Sequence, residues 1–119
     1  MKLRVKSNGL RYRLTRSDVD TLAREGYLEE LVNFAGNPFV YALQLTDGQE
    51  LTASYIDNKI TLCMSRKMIQ ELIDTERVGF ENHYGALHLL IEKDFTCLDN
   101  VDEDQSDNYP NPLAEKIKL

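Results

Sequence analysis

The sequence predicts an α+β fold: a duplicated ββαββ unit with approximate two-fold symmetry, about eight strands and two helices, followed by an acidic C-terminal strap. Three observations predict it. Residues 8–28, NGLRYRLTRSDVDTLAREGYL, read as turn, strand, helix cap, helix and strand start, and residues 58–78, NKITLCMSRKMIQELIDTERV, repeat that pattern at an offset of 50 without a gap. Apolar residues alternate with period two in the short runs and recur at helical spacing in the two segments behind a capping residue. From Phe95 the chain loses this periodicity and gains acids. The expected organisation is a domain over residues 1–95, with repeat one at 1–47 and repeat two at 51–95, and a strap at 96–119.

Taken in order, residues 2–6, KLRVK, point Leu3 and Val5 one way and Lys2, Arg4 and Lys6 the other, as a half-buried strand does. Ser7-Asn8-Gly9 makes a turn, with the Asn-Gly pair expected to take the positive φ of a tight hairpin. Leu10, Tyr12 and Leu14 then face the core, and Arg11 and Arg13 face out. Thr15 caps a helix. Its hydroxyl can accept a first-turn N–H, and Asp18 puts a carboxylate at the third helical position. Val19, Leu22 and Ala23 form the apolar stripe, and Gly26 stops the helix. Strands at 27–34 and 39–46 flank the turn AGNP, and the second puts Phe39, Tyr41, Leu43 and Leu45 on one face.

After the Asp47-Gly48 turn the cycle restarts. Residues 51–56 match the first strand, and Asp57-Asn58-Lys59 replaces the first hairpin turn. Ile60, Leu62 and Met64 stand for Leu10, Tyr12 and Leu14; Ser65 stands for Thr15; Ile69, Leu72 and Ile73 stand for Val19, Leu22 and Ala23. Strands at 78–84 and 86–94 finish the unit, with the spacing two or three residues shorter. One unit has an apolar sheet face and a single small helix to cover it. The two units are therefore expected to pack together, both helices against one sheet or a strongly twisted, partly closed one.

At 119 residues, with 42% apolar and 29% charged residues, the chain is expected to fold as one globular domain. No apolar run approaches the roughly 18–20 residues of a membrane span, and no apolar stretch follows the basic start as in a secretory signal. Cys63 and Cys97 make no disulfide framework, so a reduced cytoplasmic setting is the simplest expectation. The net charge of −6 is unevenly spread. Residues 1–24 carry seven of the fourteen Lys and Arg against two acids, whereas residues 92–107 carry seven acids and one Lys. That split points either to an oppositely charged partner or to the tail lying across the basic end of its own domain.

Two candidate sites follow from the charge. Lys2, Arg4, Lys6, Arg11 and Arg13 fall on one face of two adjacent strands, where they could bind an anion, an acidic protein or phosphates. The overall acidity and the lack of outward aromatics on that hairpin argue against nucleic acid. The matching face of the second unit, Thr52, Ser54, Thr61 and Cys63, is neutral. Asp94, Cys97, Asp99, Asp102, Glu103, Asp104 and Asp107 crowd the start of the tail, and carboxylate oxygens suit divalent cations. Their spacing is not that of a calcium-binding helix-loop-helix, and one Cys needs His83 or His88 to approach a zinc site. No nucleophile motif or phosphate-cradling glycine loop is present. A Cys97 pair with His83 or His88 is the one enzymatic constellation the residues offer, and no cofactor is implied beyond a divalent cation.

The opening MKLRVKSNGLRYRLTRSDV and the later EKDFTCLDNVDEDQSDNYPNP are similar to the two ends of a family of short bacterial proteins of unknown function. In that family a KLRI-type strand, an Asn-containing turn and LRLRLT open the chain, and a KDF-x-CL segment with ED, D and a PNP-type close ends it. Here the turn reads Ser7-Asn8-Gly9, where the family's glycine precedes its asparagine. The resemblance implies that the tail belongs to the protein. It implies no activity, cofactor or catalytic residue. The expectation is a small binding or accessory module acting through electrostatic protein contacts. The alternatives are a divalent-metal-binding tail and an anion- or nucleic-acid-binding hairpin.

Overall fold

The structure, a computed structural model, describes residues 1–96 and 105–112. In chain order it contains β1 (Lys2–Lys6), β2 (Gly9–Leu14), α1 (Arg16–Glu25), β3 (Tyr27–Phe34), β4 (Asn37–Thr46), β5 (Thr52–Ile56), β6 (Lys59–Ser65), α2 (Arg66–Asp74), β7 (Gly79–Tyr84) and β8 (Leu87–Lys93). This is the expected α+β architecture, ββαββ twice. The cap of α1 forms as its residues dictate. Thr15 Oγ1 accepts the Asp18 N–H at 3.3 Å and the Thr15 N–H donates to Asp18 Oδ2 at 2.9 Å. Gly26, at φ 75°, ends the helix in the left-handed region. Ser65 caps α2 in the same way, accepting the Met68 N–H at 3.1 Å.

The strands form two four-stranded sheets rather than one. Their orders are β1-β2-β8-β7 and β3-β4-β6-β5. Each sheet takes one hairpin from each repeat and joins the two hairpins by a central parallel pair, β2 with β8 and β4 with β6. Met64 beside Leu45 in one sheet therefore repeats Leu14 beside Lys93 in the other. This exchange has a physical reason. A single hairpin of the repeat buries one face and leaves two edges, and pairing with the other repeat's hairpin removes an edge from each while widening the buried face.

The two inner faces and both helices share one core. Leu10, Tyr12, Leu14, Leu89 and Ile91 come from the first sheet, Leu43, Leu45, Leu62 and Met64 from the second, and Val19, Leu22, Ile69 and Leu72 from the helices. Ile73, which the helical stripe had placed inward, is 48% exposed. The two repeats differ mainly at the last hairpin: β3 and β4 pair over eight positions, Tyr27 with Gln44 to Phe34 with Asn37, and β7 and β8 over six. The shorter hairpin removes four residues and the longer link from α2 to β7 restores part of them, which leaves the net shortening of the spacing. The first turn also differs from expectation. Ser7, at φ 52°, carries the positive φ, and Gly9 already pairs with Lys6 as the first residue of β2.

Beyond β8 the tail docks on the first repeat. Phe95 forms a parallel bridge with Tyr109, and their rings lie 6.0 Å apart. The Tyr109 N–H donates to the Asp94 carbonyl at 2.9 Å, and the Thr96 N–H to the Tyr109 carbonyl at 2.7 Å. Phe95 and Tyr109 thus anchor the segment from Gln105 onward against the end of β8.

Candidate binding face

The outer face of the β1-β2-β8-β7 sheet is a grid fixed by strand register. One row across it is Lys2, Arg13, Glu92 and Gly79; the next is Arg4, Arg11, Leu90 and Glu81; the third is Lys6, Gly9, His88 and His83. Period-two alternation puts these residues outward because Leu10, Tyr12, Leu89 and Ile91, one step along each central strand, are buried. All five predicted cations share this face.

Three of the five already have an acid. Arg11 Nε and Arg13 Nε lie 3.4 and 3.1 Å from Glu92 Oε1. Lys2 Nζ lies 3.2 Å from Asp94 Oδ2, which is buried and makes no aligned hydrogen bond, so this contact is a charge pair without hydrogen-bond geometry. Arg4 and Lys6 are exposed and have no ion-pair partner among the described residues. With Arg11, Gly9, His88 and Leu90 they line a cleft of about 230 Å³.

Gly9 makes that cleft. A Cβ there would stand 3.3 Å from the Lys6 carbonyl oxygen and 3.5 Å from that of His88. At the matching position of the other sheet stands Lys59, whose ammonium lies 4.7 Å above the Tyr27 ring and 3.6 Å from Glu29 Oε2. The floor of the cleft is thus open on one sheet and covered on its twin. Beside Gly9, the His88 and His83 rings stack 4.6 Å apart, and His88 Nε2 is 2.8 Å from Glu81 Oε2. Because the carboxylate accepts, that nitrogen carries the proton, and Nδ1 of His88 is the ring's other polar atom. The grid presents donors and positive charge, which suits a carboxylate-bearing or otherwise anionic ligand.

The acidic residues proposed for metal are placed otherwise. Asp94 faces Lys2, as described. Asp107 sits on the N-terminus of α1: its carbonyl accepts the Arg16 N–H at 3.1 Å, Oδ1 accepts the Ser17 N–H at 3.3 Å, and Oδ2 accepts the Ser17 hydroxyl. These donors, with Arg16 nearby, hold its carboxyl below the usual range. Cys97, Asp99, Asp102 and Asp104, together with Glu103, lie outside the described residues. Among the described residues no three His, Cys, Asp or Glu side chains converge as a metal site. Cys63 is a free, partly buried residue of β6, and His83 and His88 are committed to each other and to Glu81. Among the described residues no helix is long and apolar enough to cross a membrane.

Gly9 and Lys93 carry no site signal in the sequence. The Asn-Gly pair places Gly9 in the turn. Lys93 falls in phase with Leu87, Leu89 and Ile91, so the alternation itself places it inside; its charge argued the other way.

Fold and face together define an internally duplicated α+β domain whose two outer sheet surfaces have diverged, one basic and clefted, the other neutral. The chain belongs to a family of unknown function, DUF7009, whose sequence model matches residues 1–113. That span takes in both repeats and the docked segment. Comparison with curated proteins and with solved structures gave no match.

Proposed function

We propose that the protein is a small binding module acting through electrostatic protein contacts, and that the outer face of the β1-β2-β8-β7 sheet docks an acidic segment of a partner protein. The observation that carries this reading is the pair Arg4 and Lys6: exposed cations on an edge strand, beside a cleft and without an acid partner among the described residues, in a chain whose net charge is −6. Complementary charge speeds and orients association. Guanidinium at Arg4 and Arg11, side by side on paired strands, suits bidentate recognition of carboxylates.

The test is fluorescence anisotropy with a labelled short Glu-rich peptide, a Ser-rich control and a single-stranded oligonucleotide. The Glu-rich peptide is expected to bind the native protein, to weaken as salt rises, and to lose most of its affinity in an Arg4→Gln, Lys6→Gln double variant that melts like the parent. Preference for the oligonucleotide would transfer the face to nucleic acid. Equal binding to the double variant would overturn the reading.

A further inference from the structure

Lys93 stands in the second repeat where Leu45 stands in the first. Lys93 is the parallel partner of Leu14, and Leu45 is that of Met64, the residue matching Leu14. The backbone environment repeats too: the Leu45 N–H donates to the Gly26 carbonyl and the Lys93 N–H to the Val78 carbonyl, both at 2.9 Å. Leu45 is 4% exposed and Lys93 7%. A lysine therefore occupies a core leucine position of a duplicated fold.

Its ammonium is only partly satisfied. Nζ donates to the Thr75 carbonyl at 3.1 Å, at the C-terminal end of α2, and lies 5.0 Å from the centre of the Tyr109 ring. An ammonium has three donors, and a buried charge wants a counter-charge. Among the described residues no carboxylate lies within ion-pair distance of Lys93; Glu76 acts on it only at longer range. Burial accordingly pushes its pKa down.

The ammonium borders a cleft of about 400 Å³, to which the docked segment contributes Tyr109 as one wall. Val19, Leu72, Ile73 and the Tyr109 ring give it apolar sides. Arg16 lines the rim, with Nη2 tied to the Ser106 carbonyl at 3.0 Å. Among the described lining residues the one acid, Asp20, is paired with Arg24 Nε at 3.1 Å. Two cations, one of them buried, thus meet an apolar slot of the size that holds small ligands.

We propose that this cleft binds a small-molecule carboxylate with an aromatic or branched apolar body, with Lys93 as its buried counter-ion and Arg16 at its rim. The body packs between Val19, Ile73 and Tyr109. The site is separate from the basic sheet face, so either reading stands without the other.

The test is calorimetric titration of the full chain with indole-3-acetate and with its cationic isostere tryptamine, alongside methyl NMR spectra of Val19, Leu72 and Ile73. Indole-3-acetate is expected to bind, to shift those methyls, and to bind about tenfold or more weakly in Lys93→Leu. Tryptamine is expected not to bind. The Lys93→Leu variant restores the residue its twin position carries, so it is expected to fold. Should it fail to fold, the methyl map on the native chain decides alone. Absence of binding at millimolar indole-3-acetate, shifts confined to other methyls, equal binding of tryptamine, or unchanged affinity in a folded Lys93→Leu variant would each overturn the proposal.

Discussion

Tyr12 of one sheet meets Tyr41 of the other edge to face, with ring centroids 6.2 Å apart and planes at 81°. Tyr12 also donates its hydroxyl to the Ile60 carbonyl across the inter-sheet space at 3.4 Å, and Tyr41 donates to Glu30 Oε2 at 2.8 Å. The two rings tie the sheets together, beside a second polar link in which Asn82 Nδ2 donates to the Leu51 carbonyl at 2.9 Å.

Their titration predicts alkaline sensitivity. Burial is the main cause that raises the Tyr12 hydroxyl well above its ordinary value of 10.0, and burial with the Glu30 hydrogen bond raises Tyr41 to about 12. A tyrosine whose folded pKa exceeds its unfolded one contributes stability that is complete below the unfolded value and lost as pH rises through the folded one. Stability should therefore fall from about pH 10 upward. Denaturant midpoints measured across that range should fall less steeply in Tyr41→Phe than in the parent. An equal fall would show that Tyr41 does not carry the effect.

Gly79 predicts a steric failure. It opens β7 against β8, and an added Cβ would collide with the Ile91 carbonyl oxygen and stand 2.8 Å from Glu92 Cα. Both obstacles are backbone and cannot swing away. Gly79→Ala should cost about 1–3 kcal/mol, read as a lowered melting temperature. Gly48→Ala, where the nearest atom is the Thr46 hydroxyl at 3.4 Å, should change little.

Asp107 predicts acid release of the docked segment. Its carboxyl is held down first by the Ser17 hydroxyl. A depressed carboxylate contributes docking stability that is present above its free value of 3.8 and lost as pH falls through the docked value. Amide exchange at Arg16 and Tyr109 should quicken below about pH 4, while exchange at Leu62 stays slow. In Asp107→Asn the exchange at Arg16 and Tyr109 should be fast already at neutral pH and lose that acid step. Slow exchange at Arg16 in the variant would contradict this role.

Much of this fold is legible in the chain because its signals are local. The gapless offset between residues 8–28 and 58–78 reveals the duplication, and Thr15, Asp18 and Gly26 announce α1 by the chemistry of its ends. Pairing across the repeats is not local. Period two says that Leu10 and Leu89 each face inward, but nothing in either strand says they lie side by side, 79 positions apart. The exchange of hairpins, and with it the two sheets, emerges only when edges are satisfied in three dimensions. The same holds for the sites. Five cations on one face are read directly from alternation, whereas the cleft depends on Gly9 meeting His88, a contact between distant strands. Lys93 shows the opposite failure. Its phase was readable, and only the duplication, by aligning it with Leu45, gives that phase its meaning.

The most direct measurement of the basic-face reading is an amide NMR titration of the native protein with the Glu-rich peptide. The duplication supplies an internal control, since each position on one sheet has a counterpart on the other. Shifts are predicted at Arg4, Gly9, Arg11 and His88, with their counterparts Ser54, Lys59, Thr61 and Val40 unmoved. Shifts of equal size on both sheets, or shifts confined to the second, would contradict a specific basic docking face.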